Sequence, residues 1–475
     1  MDPLILLVIG LVVVTCGIVV LRLHAFLALV AAALIVGGLT PRDTIRDYGI
    51  ASGMSEAGAN KLAETAVGKR VAESFGKTCA KVGILVAMAA IIGKCLLETG
   101  AADRIVRSAL KLVGETKAPF AFMSSSFLLA VPVFFDSVFY LMMPLAKSIT
   151  LRTGRNYILY TLAIVAGATM AHSLIPPTPG PLVVAEEFDV SFMDMMKFGF
   201  VIGGLSVLTG YAYAVWFNRH HPIPLRQTDT TTVEELKAVT TRDESILPSL
   251  WASLFPILLP VALIAIGSFL SNQFEDETAS GLVTLFITLG DKNLALTLAA
   301  AASLLLVYRH FNQDRSTLKT VVDGALTSAA AIILITSAGG ALGGILQQTG
   351  ITFRIEALAS QYKIGVLPLA FFVTALVRTA QGSATVAMIT ASGVLAGFGD
   401  PQNLGFHPAY IAMAIGCGSK LIPWMNDSGF WVIGRLSGMT ETETLKSFSV
   451  LLTLMGFAGL IFTMVFATLL PKGLF

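Results

Sequence analysis

Charge is scarce in this sequence: Asp, Glu, Lys and Arg supply only 13% of its 475 residues, about half the share usual in soluble domains. The charges are scattered and the net is +2. No basic stripe tracks a phosphate backbone, so nucleic acid is excluded as a partner. Cysteine is scarcer still. Cys16, Cys79, Cys95 and Cys417 form no CxxC pair and mostly sit in apolar runs, where a thiol packs as a small hydrophobe. A GxSxG nucleophile turn and an HExxH metal helix are also missing. An intramembrane enzyme would have to work with His172, Asp136 or Asp427 alone as acid and base.

What replaces charge is apolar surface. Hydrophobic residues make up 55% of the chain and mean hydropathy is +0.77, which places the protein in a bilayer. A crossing takes about 20 apolar residues, and such runs recur from Leu4 to Leu470. An all-α, polytopic protein with roughly ten to twelve membrane segments is expected. The first run, 4–21, follows Asp2 and Pro3 rather than basic residues, so it reads as a retained helix and not a secretory signal. Two stretches are hydrophilic. Residues 41–80 form an insert in which Val67, Val71 and Phe75 recur at helical spacing, which fits an interfacial amphipathic helix or a solvated loop. Residues 218–245 carry Asp229, Glu234, Glu235, Asp243 and Glu244 near the middle of the chain. The expected organisation is therefore a first half, 1–217, a linker, 218–247, and a second half, 248–475.

The halves show internal similarity. Residues 83–105 (GILVAMAAIIGKCLLETGAADRI) laid on 333–355 (ILITSAGGALGGILQQTGITFRI) give six identities at an offset of 250, among them Gly93 with Gly343 and Thr99-Gly100 with Thr349-Gly350. Chance would give roughly two in so apolar a window. SLIP at 173–176 and KLIP at 420–423 repeat at an offset of 247. Repeats of this kind build many secondary transporters, with the substrate site between them at mid-membrane.

Four places interrupt apolar runs with Pro, Gly or polar residues: 124–137 (SSSFLLAVPVFFDS), 169–181 (TMAHSLIPPTPGP), 378–390 (RTAQGSATVAMIT) and 416–431 (GCGSKLIPWMNDSGFW). Broken backbone survives in a bilayer only where protein or a wet cavity takes over its polar groups. Half-helix N-termini at such breaks favour an anion. Asp136, Arg378, Lys420 and Asp427 lie in the same places, and a charge at the bilayer centre costs at least about 2.5 to 3.5 kcal/mol. Each therefore faces a cavity, snorkels to the surface or pairs with another charge. Asp136 aligns near Ser383 and Asp427 near Gly180, so each half contributes one acid at a non-equivalent break. His172, before the proline cluster, has a side chain suited to proton coupling or to a hydrogen-bonded core. Lys94 and Glu98 are spaced to pair on one helix face. Basic residues at Arg104, Arg107 and Lys111 and at Arg152 and Arg155 read as loops on both sides of the membrane, which leaves orientation open.

Several of these blocks resemble the gluconate permease (GntP) family: LRLHAFLALVAA from Leu21, GKCLLETGAADRI from Gly93, PVFFDSVFYLMMPLA from Pro132 and AHSLIPPTPGP from Ala171, with GDKN at Gly290 and WMNDSGFW at Trp424. The resemblance covers nearly the whole chain. It implies the fold of the ion transporter superfamily, with two inverted repeats, re-entrant hairpins and unwound helices around a central site. It further implies an inner-membrane secondary transporter that imports gluconate or a related sugar acid with protons by alternating access, and that needs no cofactor. Other carboxylates such as D-serine, fructuronate or glycerate are the alternatives within that class, and a passive organic-anion channel lies outside it. Expected partners are the small anionic acid, protons and membrane lipid, with a homo-oligomer compatible. Carried over by motif, the cavity would be lined from 134–137 (FFDS), 172–181, 381–386 (QGSATV) and 426–431 (NDSGFW). The substrate-binding set is then Asp136, Ser137, His172, Ser173, Thr178, Arg378, Gln381, Ser383, Thr385, Lys420, Asn426, Asp427 and Ser428. In it, the hydroxyls of Ser137, Thr178, Ser383 and Thr385 would meet polyol groups and Arg378 or freed amides the carboxylate. Asp136, Asp427 or His172 would handle the proton. Two departures from the family are Lys292, where proline is usual, and the long charged insert at 41–80.

Overall fold

The computed structural model describes residues 2–114, 117–226, 246–273, 281–311, 314–351, 365–395, 404–424 and 427–474, all of them helix or connection and none strand. An apolar helix pair, α1 (Pro3–Val19) and α2 (Ala25–Leu39), leads into two short polar helices, α3 (Arg42–Ala51) and α4 (Glu56–Glu64). The long α5 (Val67–Glu98) and the short α6 (Ala101–Val113) follow. Next come α7 (Ala118–Leu129), α8 (Phe135–Thr153), α9 (Tyr157–Leu174), α10 (Pro179–Glu187) and α11 (Phe192–His220). Beyond the linker are α12 (Leu250–Gln273), α13 (Gly281–Leu289), α14 (Lys292–His310), α15 (Arg315–Gln347), α16 (Val366–Gln381) and α17 (Ala384–Leu395). The chain closes with α18 (Ala409–Gly418), α19 (Ser428–Ser437) and α20 (Glu441–Leu469), whose residues Leu445–Ser449 form a π-helical turn.

Among the described residues, seven helical stretches are long and apolar enough to cross a membrane. Shorter apolar helices include α7, α16, α17 and α18. The insert at 41–80 is neither one loop nor one interfacial helix. Its last third, with Val67, Val71 and Phe75, is the opening of α5 and runs straight into the crossing. Val71 is buried there and the Phe75 ring meets Phe26 edge-on at 6.3 Å. The helix α11 continues to His220; residues 227–245 of the expected linker lie outside the described residues.

One buried cation defines an end of the bundle. Arg70, in the first turn of α5, donates from Nη1 to Gln348 Oε1 (2.6 Å), from Nη2 to the Gly37 carbonyl (2.9 Å) and from Nε to the Thr65 carbonyl (3.2 Å). Helix C-termini leave carbonyls unsatisfied and attract cations, and this guanidinium serves the C-terminal ends of α2, α4 and α15 together. At the same end Gln347 donates to Glu187 (2.8 Å), closing α10 against α15, and Lys292 at the start of α14 pairs with Glu186. Lys94 pairs with Glu98 at 2.7 Å near the other end of α5.

The path of α7 follows from its neighbours. Phe122 packs on Tyr160 (5.5 Å between rings) near the start of α9, and two turns further along α9, Gly167 lies against Met123, Ser126 and Phe127. The two helices thus run parallel, both starting at the end opposite Arg70. Because α8 finishes where α9 begins, α7 and α8 enter and leave at one end as a re-entrant hairpin. Between them and the rest of the bundle, α9 is buried along nearly its whole length.

Small residues let helices approach closely where lipid supplies no hydrophobic force. On α15 the run AGGALGG alternates faces. A Cβ at Gly340 or Gly344 would strike Thr78 or Ser74 of α5, whereas one at Gly343 would lie 2.7 Å from the Gly393 Cα of α17. The pairs 339 with 389 and 343 with 393 also show that α17 runs parallel to α15 and ends at the Arg70 end. Gly343→Ala is expected to cost about 1 to 3 kcal/mol by overpacking against backbone, read as a lower unfolding midpoint in detergent. Gly38→Ala, with open space around it, should leave the midpoint unchanged.

Candidate functional site

Each of the four interrupted runs is a true helix break. Pro132 lies in the gap 130–134 between α7 and α8, and no side chain caps the first turn of α8. Between α9 and α10 the backbone turns extended at Ile175, passes a cis bond at Pro176-Pro177 and restarts at Pro179, again without a side-chain cap. The proline cluster therefore makes a four-residue interruption, 175–178. Gly382, at φ +79°, ends α16 in the left-handed region where other residues are strained, and α17 begins two residues later. The last gap, 419–427, includes Ile422 at φ +43° and ends with Asp427 capping α19 through the Gly429 amide (2.8 Å).

The first turns of all four second helices meet around one cavity of about 390 Å³. Asp136 and Ser137 of α8, Pro179 of α10, Ala384, Thr385 and Val386 of α17, and Asp427 with Gly429 at α19 all line it. The first N–H groups of a helix have no partner within it and carry the positive end of its dipole. Four such ends surround one space.

The charges are arranged around the same space. Arg378, only 3% exposed, donates from Nε to the Ser419 carbonyl (3.0 Å) and from Nη2 to Asp427 Oδ2. Its Nη1 has no partner among the described residues, although it is buried. Lys420 lines the cavity and donates to Ser173 Oγ. His172 also lines it, with Nδ1 buried and without a partner among the described residues and the Phe134 ring 6.1 Å away. A guanidinium with one committed face and one open donor is suited to a carboxylate.

Of the residues expected from sequence, Asp136, Ser137, His172, Arg378, Ser383, Thr385, Lys420 and Asp427 line the cavity. Ser173 stands behind Lys420. Thr178 does not line it: the hydroxyl is buried and donates to the Ile175 carbonyl (2.6 Å), satisfying the break instead. Asn426 and the side chains of Gln381 and Ser428 lie outside the described residues. Sequence reading did not single out Thr169, Ser328, Ile332, Ile335, Phe448 or Leu452, which complete the wall. Thr169 precedes His172 by one helical turn, and Ser328, Ile332 and Ile335 share one face of α15. Those spacings were the available signal; Thr169 opens one of the interrupted runs, whereas Ser328, Ile332 and Ile335 have no break beside them. Lys292 lies at the far end of α10 from the cavity, where it pairs with Glu186.

The sequence profile of GntP family permeases matches residues 2–469. The chain belongs to the GntP permease family. It is a multi-pass permease and not an enzyme. Among relatives, an uncharacterized permease of Haemophilus influenzae is 30% identical over 89% of this chain and 83% of that one. The gluconate permease of Pseudomonas aeruginosa is 28% identical over 94% of both chains. The Gnt-II system L-idonate transporter of Escherichia coli K12 is 26% identical over 97% of this chain and 98% of its own. In fold, this GntP-family chain is similar to the YdaH transporter of Alcanivorax borkumensis (TM-score 0.56, 14% identity, 85% of this chain and 89% of that one). It is also similar to Neisseria gonorrhoeae MtrF (TM-score 0.59, 15% identity, 84% and 83%).

The buried Arg378–Asp427 pair yields a test within the GntP-family site itself. Asp427→Ala alone strands a buried guanidinium and is expected to cost about 3 to 5 kcal/mol of stability. Arg378→Met combined with Asp427→Leu removes both charges and should recover most of that loss in a thermal unfolding assay. A double variant no more stable than Asp427→Ala would show that the pair does not act as a unit.

Proposed function

We propose that this permease imports gluconate or a closely related sugar acid across the inner membrane together with protons, by alternating access. The observation that carries the reading is the convergence of four helix N-termini, two of them without a side-chain cap, with the open Nη1 of Arg378, on one cavity. Each N-terminus contributes about 0.3 to 1 kcal/mol toward an anion, and up to about 2 where partly buried. The carboxylate is held by Arg378 and the first amides of α17. Hydroxyls of Ser137, Thr169, Ser328, Ser383 and Thr385 around the same space suit a polyol chain. Relatives named for gluconate and L-idonate support the same class of ligand.

Two halves, 1–217 and 248–475, supply these parts. Ser173 and Lys420 occupy matching positions of the SLIP and KLIP repeat, and they touch. Equivalent residues that meet lie on the axis relating two halves, which is where a transporter of repeated build keeps its site.

Asp136 carries the proton. Asp427 is committed to Arg378, whereas Asp136 lines the cavity with neither ion pair nor hydrogen bond among the described residues. A carboxylate so placed can exchange a proton with the cavity. Proteoliposomes containing the purified protein should accumulate labelled gluconate against its gradient when the outside is acidified, and an uncoupler should abolish this. Asp136→Asn should lose accumulation yet keep gluconate counterflow, while Asp427→Asn should lose both. Uptake that only equilibrates would identify a channel, and uptake indifferent to uncoupler and to Asp136→Asn would remove the proton. Competition by L-idonate, glycerate and D-serine in the same assay ranks the acids.

A further inference from the structure

From sequence, the basic residues of α6 and those of the α8–α9 loop read as loops on both sides of the membrane. The re-entrant course of α7 and α8 changes that. Phe122 beside Tyr160, and Gly167 beside Met123 and Phe127, make α7 parallel to α9. Arg104, Arg107, Lys111 and Arg155 consequently share one end of the bundle.

Other elements assign themselves to the two ends. The last turn of α11 and residues 222–225 line a common recess with Arg155 and Asn156. Arg226 bonds to Glu443 and to the Gly438 carbonyl, bringing in the α19–α20 junction. Arg104 donates to the Pro248 carbonyl (2.7 Å), bringing in the start of α12. At the Arg70 end lie α3, α4, the end of α10 with Glu186 and Glu187, and the start of α14. His407 stacks on Phe198 near the start of α11 and its amide N–H donates to the Pro471 carbonyl (2.8 Å), so Lys472 belongs there too.

Counting loops, the short end helices α3, α4 and α6, and one helical turn of the longer helices, the described residues place twelve Lys and Arg at the α6 end and seven at the Arg70 end. Three of those seven are committed: Arg70 to carbonyl and amide oxygens, Arg46 to Asp43 and Asp47, and Lys292 to Glu186. At the α6 end, Arg107 and Arg226 are likewise paired, with Asp103 and Glu443. Lys and Arg near membrane-spanning segments stay on the cytoplasmic side, and Asp and Glu weigh little in that choice. Anionic headgroups of the inner leaflet attract the same residues.

We infer that the α6 end faces the cytoplasm and rests among anionic headgroups, and that the Arg70 end, with α3, α4 and Lys472, faces the periplasm. The hairpin carrying Asp136 then hangs from the cytoplasmic end, while α17, with Thr385, extends toward the periplasmic end. This assignment is independent of the substrate.

Full-length protein in a Cys16→Ser, Cys79→Ser background, with uptake as the control for folding, tests it through Glu56→Cys and Arg155→Cys. A membrane-impermeant maleimide should label Glu56→Cys in spheroplasts and Arg155→Cys only in inverted vesicles. Reversed labelling, or equal labelling of both sites in both preparations, overturns the assignment. A second reporter decides the case where neither cysteine labels. Alkaline phosphatase fused after Lys472 should be active and green fluorescent protein there dark, and the opposite pair of results overturns it.

Discussion

A helix that stops inside a bilayer leaves N–H groups that lipid cannot satisfy, and in this protein that single constraint organises the site. Two of the four second helices begin without a side-chain cap, and the starts of all four border one cavity. Partial positive charge is thereby concentrated where no water-exposed surface would hold it. The scaffold exists to make such stops affordable. Continuous helices such as α5, α9 and α15 bury the broken ones, and glycine contacts between α15, α5 and α17 bring backbones close enough to exclude lipid from the breaks.

The same constraint explains how the charges are deployed. Arg378 is anchored at the end of one broken helix and reaches the carbonyl and carboxylate of another break, so its position is set by two elements at once. Lys420 likewise joins the fourth break to the second through Ser173. A buried pair of this kind adds little stability over an apolar packing. What it adds is position: it fixes the open face of the guanidinium toward the cavity, and it leaves Asp136 as the acid without a partner among the described residues.

Much of this was legible in the sequence because membrane breaks have a crude signature. Proline at 132 and at 176–181, Gly382, and acids or bases in apolar runs marked all four places, and eight of the expected side chains line the cavity. Less legible was everything that depends on direction. Whether α7 crosses or turns back is decided by its parallel packing on α9, and apolar content alone treats both cases alike. Thr178 failed for a local reason: a hydroxyl three residues after a carbonyl freed by proline finds that carbonyl first. The contributions of α15 and α20 to the wall, Ser328 and Phe448 among them, come from unbroken helices whose inward face differs from their core face only by the cavity it meets. The opening of α5 shows the converse, where polar residues of 67–80 hid a helix that is continuous with a crossing.

The central claim is that the cavity recognises a carboxylate through helix N-termini and Arg378. Calorimetric titration of the purified protein with gluconate and with glucitol, which keeps the polyol chain and lacks the acid, tests it most directly. The account predicts measurable gluconate binding and glucitol binding weaker by at least about 100-fold, the scale of a charge-assisted contact of about 3 kcal/mol. Comparable affinities for the two would contradict it.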